Sequence, residues 1–403
     1  MSNNPTKYQG NELKYIKKVL NSENWSSTAG NWNQVLEQRM CELYGTKYAV
    51  AFNSGTSTLH ASLEACGVKE GDEVISPALT VIMNTTATIH ANAIPVYVDV
   101  NPYTFTIDPK DLEKKITPKT KAIMVVSLYG LPCDMDPIME LARKHNIAVI
   151  EDNAQCFLSK YKGKKTGTFG DISSYSFENT KHISCGEGGM ILTDDENLAM
   201  MCRKIGGHGF KNLKAEEGRV RLRQETFQNP NYKRHDVLGW NYRLSEFNAA
   251  IALAQLEKHE LLIKMRTDSA KIFLDEMSDV DYLIPQITPE GYENSYYTLG
   301  VKFEGADLHG ITWEQFRQKY IELGGDGIYG AWAIPYLEPV VKNNQYAYRN
   351  PSQYQGLHYP IGTCPVAESI QPKIMQFKTN YRDLELCKQK ASALKNTIKY
   401  FKN

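Results

Sequence analysis

At 403 residues the chain is longer than one minimal core and suits a large domain joined to a smaller one. Its 46 basic and 46 acidic residues cancel, so no global field draws it to nucleic acid or an anionic membrane, and an anionic ligand must be held by local groups. The eight cysteines show neither a CxxC pair nor a metal-ligand spacing with histidine, and no apolar run approaches the roughly 20 residues that span a bilayer. The polar start, Met1-Ser2-Asn3-Asn4-Pro5, lacks the layout of a signal peptide, so the expectation is a soluble, cytoplasmic protein with reduced thiols, no metal, no nucleic acid and no membrane partner.

From about residue 10 to 70 amphipathic helical patterns surround one strand, Tyr48-Ala49-Val50-Ala51-Phe52, and a helical stretch from Thr58 to Ala65 follows it. The join, Asn53-Ser54-Gly55-Thr56-Ser57, is built from small residues. Further strands are predicted at Glu73–Ile75, Pro95–Val100, Ala122–Val126, Ala148–Glu151, Ser174–Phe177 and Met190–Thr193, with helical patterns between most of them. Such alternation implies an α/β fold, in which a mostly parallel sheet of about seven strands is flanked by helices. Leu244 to about Glu276 reads as one long helix leading into a smaller α+β C-terminal domain that ends in a helix from Asp383 to Lys399. The expected division is residues 1–255 and 256–403, with no repeat or low-complexity linker.

Lys181 stands out among many lysines. It follows an apolar strand in Ser176-Phe177-Glu178-Asn179-Thr180-Lys181-His182, and Gly186-Glu187-Gly188-Gly189 comes after it, allowing close backbone approach. A desolvated lysine is a nucleophile and a proton carrier, as needed to hold pyridoxal phosphate (PLP) in a Schiff base. Three supports are available. Asp152, at a strand end, could keep a pyridine nitrogen protonated. Gln155 could donate to the ring oxygen. The Ser54 to Ser57 turn offers N–H groups and a helix N-terminus to a phosphate, with the Ser176 hydroxyl nearby, although many strand-to-helix joins use such residues only as caps.

The run around Lys181, with Glu151-Asp152-x-Ala154-Gln155 and Gly239-Trp240-Asn241-Tyr242-Arg243-Leu244-Ser245, resembles the DegT/DnrJ/StrS sugar aminotransferases, which are fold type I PLP enzymes. The likeness runs from Gly10-Asn11-Glu12 to Cys364-Pro365-Val366-Ala367-Glu368. It implies that Lys181 carries the Schiff base, Asp152 pairs with the pyridine nitrogen and Gln155 neighbours the ring oxygen. It also implies that Thr56, Ser57 and Ser176 bind the phosphate and that Asn241 reaches the phosphate of a second subunit, giving a homodimer with shared active sites. Glutamate would be the amino donor and a keto or aldehyde sugar, nucleotide-linked or an acidic sugar such as a keto-octulosonate, the acceptor.

Two departures stand out. Val81, in Pro77-Ala78-Leu79-Thr80-Val81, falls where many members stack an aromatic side chain on the cofactor ring. The segment between Gly209 and Gly239 is long and basic, with Lys211, Lys214, Arg219, Arg221, Arg223, Lys233 and Arg234, and reads either as a solvated loop or as one that closes on an anionic substrate. One branch of the family has histidine in place of the lysine and dehydrates its sugar. Here that position is Lys181, and the adjacent His182 is assigned to local structure. Tyr329 and Trp332 fall where the family's small domain approaches substrate and are equally suited to core or interface. The alternatives to amino transfer are a dehydratase and a non-catalytic sensor.

Overall fold

A computed structural model of the chain describes residues 7–220 and 222–402. Arg221 of the basic segment and the polar stretch from Met1 to Pro5 lie outside them. The core is a seven-stranded sheet of β1 (Tyr48–Phe52), β2 (Glu73–Pro77), β3 (Ile94–Val98), β4 (Thr120–Val126), β5 (Ala148–Asp152), β8 (Ile172–Ser176) and β9 (Gly189–Thr193), in the order β1-β9-β8-β5-β4-β2-β3. The pairs from β3 through to β8 are parallel, and β9 runs antiparallel to both β8 and β1. The expected mostly parallel sheet is therefore present. Between β5 and β8 lie two short strands, β6 (Lys160–Tyr161) and β7 (Lys164–Lys165), which form a separate small sheet with β11 (Tyr292–Glu293).

Apolar alternation along the strands explains why helices cover both faces. On one face Ile75, Val98, Ile123 and Val125 pack with Leu112 of α5 (Pro109–Lys115) and with Ile138 and Leu141 of α6 (Met135–His145). The neighbouring residues Val74, Ala122 and Met124 point the other way, onto Leu59 and Leu63 of α3 (Gly55–Ala65) and Ala87 of α4 (Met83–His90).

The helix expected from Leu244 to Glu276 is two helices, α9 (Glu246–Leu256) and α10 (His259–Met277), broken at Glu257 and Lys258. Neither glycine nor proline causes the break. Glu257 is held by Asn11 Nδ2 at 2.7 Å and by the Tyr15 hydroxyl, and Lys258 Nζ lies 2.7 Å from Glu12 Oε1. These partners belong to α1 (Glu12–Ser22) and the residue before it. Beyond α10 a four-stranded sheet is ordered β10 (Leu283–Pro285), β12 (Leu299–Phe303), β14 (Ile374–Phe377), β13 (Tyr329–Gly330), with the C-terminal helix Leu384–Lys402 packed on the same core as α10. The intervening stretch does not join that core: Ile334, Tyr336, Tyr346, Tyr354 and Ile370 pack on Leu79, Tyr97 and Tyr129 beside the large sheet.

Candidate active site

In an open α/β sheet the ligand crevice lies outside the carboxyl ends of the strands. Here β1, β2, β5 and β8 end at one edge, in Phe52, Pro77, Asp152 and Ser176. Register brings two of these ends together, because Gly189 of β9 faces Phe52 on one side and Ser176 on the other. A Cβ on Gly189 would stand 2.5 Å from the Ser54 carbonyl oxygen, so only glycine lets the β1–α3 turn settle against β9.

Ser54 caps α3 from an extended conformation, its Oγ accepting from Ser57 N at 3.1 Å. The N–H groups of Gly55 and Thr56 have no acceptor among the described residues, so the start of the helix presents free donors at its positive end. Ser176 closes the side of this cradle, since a Cβ on Gly55 would meet Ser176 Cβ at 2.9 Å. The Ser57 hydroxyl is shared between Asn53 Oδ1 at 2.7 Å and the Ser54 carbonyl at 2.9 Å, from which it would turn to donate to a phosphate, with the Thr56 side chain at the rim.

Strand alternation separates the two acids of β5. Glu151 is buried and accepts from the N–H groups of Gly167, Phe169 and Gly170 at 2.6–2.8 Å, which offset the upward push of burial on its carboxyl. That carboxylate is saturated. Asp152 is buried too, but its partners are fewer: Ala154 N at 3.1 Å on Oδ1 and Asn84 Nδ2 at 3.0 Å on Oδ2. Burial pushes the Asp152 carboxyl up, and these two donors and the nearby Lys181 charge pull it back. A buried carboxylate with two neutral donors calls for a cation in front of it. Gln155 is buried with Oε1 fixed by Tyr129 N at 2.9 Å, and its Nε2 has no hydrogen bond among the described residues. Val81 lies half-buried in the join between β2 and α4, at the same edge.

Lys181 is half-buried, its Nζ 4.5 Å from the centroid of the Tyr297 ring. The Tyr297 hydroxyl is 2.7 Å from Thr180 Oγ1. Arg266, fully buried on α10, lies 5.5 Å from the same ring, donates to the carbonyls of Thr180 and Tyr297, and is pushed down to about 9 by its burial and by Arg382. Asn84, Tyr297, Arg266 and Lys7, which reaches this loop from the N-terminal side, were missed in the sequence. The one local signal was Thr80-x-x-x-Asn84, one helical turn apart, with Thr80 Oγ1 donating to Asn84 Oδ1 at 2.9 Å.

The remaining candidates divide. His182 is buried, with Nε2 3.0 Å from the Ser295 carbonyl, and burial among cations holds it well below the usual histidine range. Asn241 pairs through its backbone with Gly207, its carbonyl accepts from Asn53 Nδ2 at 3.3 Å, and its side chain is exposed. In the basic segment Arg219 is bound to Asn31, Gln34 and Glu217, Lys211 lies over the Tyr232 ring, and Arg234 donates to the Phe227 carbonyl. Tyr329 and Trp332 are exposed and line a cleft with Thr180, Arg266, Tyr297 and Lys378.

This arrangement has counterparts. Residues 6–354 match the DegT/DnrJ/EryC1/StrS aminotransferase family. The chain belongs to that family. Over 264 residues it is 43% identical to a GDP-perosamine synthase of Escherichia coli O157:H7, a match that covers 66% of this chain and 68% of the relative. A second GDP-perosamine synthase, from Caulobacter vibrioides, is 42% identical, and the chain spans 62% of that protein's length. Among solved structures, the aminotransferase from Psychrobacter cryohalolentis superposes with a TM-score of 0.86 over 100% of both chains at 29% identity. Members of this fold type I family use PLP. The residues at the sheet edge fit that cofactor: the open donors of α3 suit a phosphate, the under-satisfied Asp152 suits a pyridinium, and the free Gln155 Nε2 suits a phenolate oxygen. Among the described residues no group of histidines, cysteines and acids could hold a metal ion, no helix is long and apolar enough to cross a membrane, and the eight cysteines are free.

Proposed function

We propose that this chain is a PLP-dependent aminotransferase that moves the amino group of L-glutamate to a keto carbon of a nucleotide-linked sugar, acting as a cytoplasmic homodimer. The observation that carries the reading is the meeting of Lys181, Asp152 and the open N-terminus of α3 at one sheet edge. The identity to proteins named GDP-perosamine synthase supports a nucleotide sugar as acceptor.

When bound, the cofactor supplies an electron sink and a carrier for the amino group. With the cofactor bound, Lys181 Nζ would take the proton from the donor's α-carbon and pass it to the cofactor carbon that receives the amino group, and in the second half-reaction it would carry a proton the opposite way, from that carbon to the acceptor carbon. Asp152 would hold a proton on the pyridine nitrogen, with Asn84 orienting its carboxylate. Gln155 Nε2 would donate to the ring oxygen, and Thr56, Ser57, Ser176 and the free N–H groups of α3 would hold the phosphate. Val81 would cover a ring face by apolar contact. The exposed Asn241 side chain would reach the phosphate held by a second subunit.

The test is a half-reaction. Glutamate should bleach the visible absorbance of the holoenzyme, and one of a panel of GDP-, UDP-, CDP- and dTDP-linked keto sugars should restore it and emerge aminated by mass spectrometry. A deoxygenated sugar without added nitrogen would establish a dehydratase instead. Absence of any cofactor absorbance would point to a non-catalytic protein.

A further inference from the structure

We propose that Lys7 is a positioning residue for Lys181: its side-chain Nζ bridges the main-chain carbonyls of Asn179 and Lys181 and so holds the loop that carries the reactive amine. The inference rests on Lys181 being that amine.

Residues 178–182 form no helix, and the loop is fixed by donors brought to its carbonyl oxygens. Glu178 O accepts from Lys181 N at 3.0 Å, and Thr180 O accepts from Arg266 Nη2 at 2.6 Å. Two more oxygens are taken by one side chain, with Lys7 Nζ 2.7 Å from Asn179 O and 3.0 Å from Lys181 O. One of these bonds lands on the lysine itself, one peptide unit from the side chain that must be aimed.

The donor is itself held. The Lys7 carbonyl accepts from Gln255 Nε2 at 2.8 Å and from Lys258 Nζ at 3.3 Å, and both of these groups also bind Glu12 Oε1. Tyr8 adds a hydroxyl 3.2 Å from Ser184 Oγ and 3.4 Å from Asn179 Oδ1. A segment distant in sequence is thus laced to the break between α9 and α10 at one end and to the Lys181 loop at the other. The charges around Lys7 do not favour an ammonium there. Arg266 and Arg382 act on it as like charges, buried His182 is close, Glu178 is the opposing charge, and the nearby Cys185 thiol is itself pushed up by burial. Its two carbonyl contacts are what the position provides in return.

The experiment uses the full chain with Lys7→Met and Lys7→Arg. In cofactor-free protein, amide hydrogen exchange over residues 178–184 should quicken by about tenfold in Lys7→Met. In holoenzyme its kcat should fall about tenfold with the KM for glutamate within about twofold of wild type, the split expected when the aim of the amine and not donor binding is disturbed. Lys7→Arg keeps a cation with several donors and should recover most of both. Wild-type exchange and kcat in Lys7→Met, or a Lys7→Arg variant as impaired as Lys7→Met, would overturn the proposal. Should Lys7→Met not fold, Lys7→Gln, which keeps an N–H donor without the charge, is read by the same two measurements. Undiminished turnover in Lys181→Ala would instead sink the assignment of Lys181, and the exchange result in cofactor-free protein would stand apart from it.

Discussion

Asn84 Nδ2 lies 3.0 Å from Asp152 Oδ2, with both side chains buried at the sheet edge. The amide is the side-chain donor that turns the carboxylate, and Thr80 fixes which way the amide faces. In Asn84→Ala one carboxylate oxygen loses its partner. PLP affinity should fall about tenfold or more, as when an outer partner of a ligating group is removed. The orphaned oxygen should also cost about 1–3 kcal/mol of stability. Cofactor titration and thermal melts of the cofactor-free protein check the two separately.

Gly55 has ordinary helical backbone angles, so its replacement tests space and not conformation. A Cβ there would come within 2.9 Å of Ser176 Cβ and occupy the mouth of the phosphate cradle. Overpacking of this size costs about 1–3 kcal/mol, so Gly55→Ala should weaken PLP binding by roughly ten- to a hundredfold. Equilibrium dialysis of the cofactor measures it, and unchanged binding would remove this turn from the site.

Lys181→Ala should lose turnover by about 10⁴-fold, the combined loss of nucleophile and proton carrier. Among the described residues the side chain's contact is the Tyr297 ring, so the fold should survive, which circular dichroism checks alongside glutamate-dependent bleaching.

Lys7 makes stability depend on pH. Burial, reinforced by Arg266 and Arg382, lowers its ammonium from the ordinary 10.5 to about 7. Between those values the unfolded chain holds a proton that the folded chain has released, so the contribution of this group to stability rises with pH from about 7 and levels off above 10.5. The melting temperature of wild type minus that of Lys7→Met should therefore climb from pH 7 to pH 10. A difference independent of pH would count against the buried ammonium.

The strands were readable because apolar runs flanked by turn residues leave little choice of period, and β4 and β9 show it, each almost wholly buried. The split of the long helix was not readable. Glu257 and Lys258 are ordinary helix formers, and what turns the chain there is bonding to Asn11, Glu12 and Tyr15, more than two hundred residues away. The same reason hid Asn84, Arg266 and Lys7. Motifs expose residues whose neighbours in sequence are also neighbours in space, as in Ser54 to Ser57, whereas a buried amide on α4 acquires its meaning only when β5 is laid beside it.

The break at Lys258 has a mechanical consequence. Lys258 lies between α9, packed on the large sheet's core, and α10, packed on the small one, and its ammonium grips both Glu12 and the Lys7 carbonyl. The N-terminal strap therefore ties the junction of the two helices, through Lys7, to the peptide bearing Lys181, and Arg266, midway along α10, ties that helix to Thr180 of the same loop.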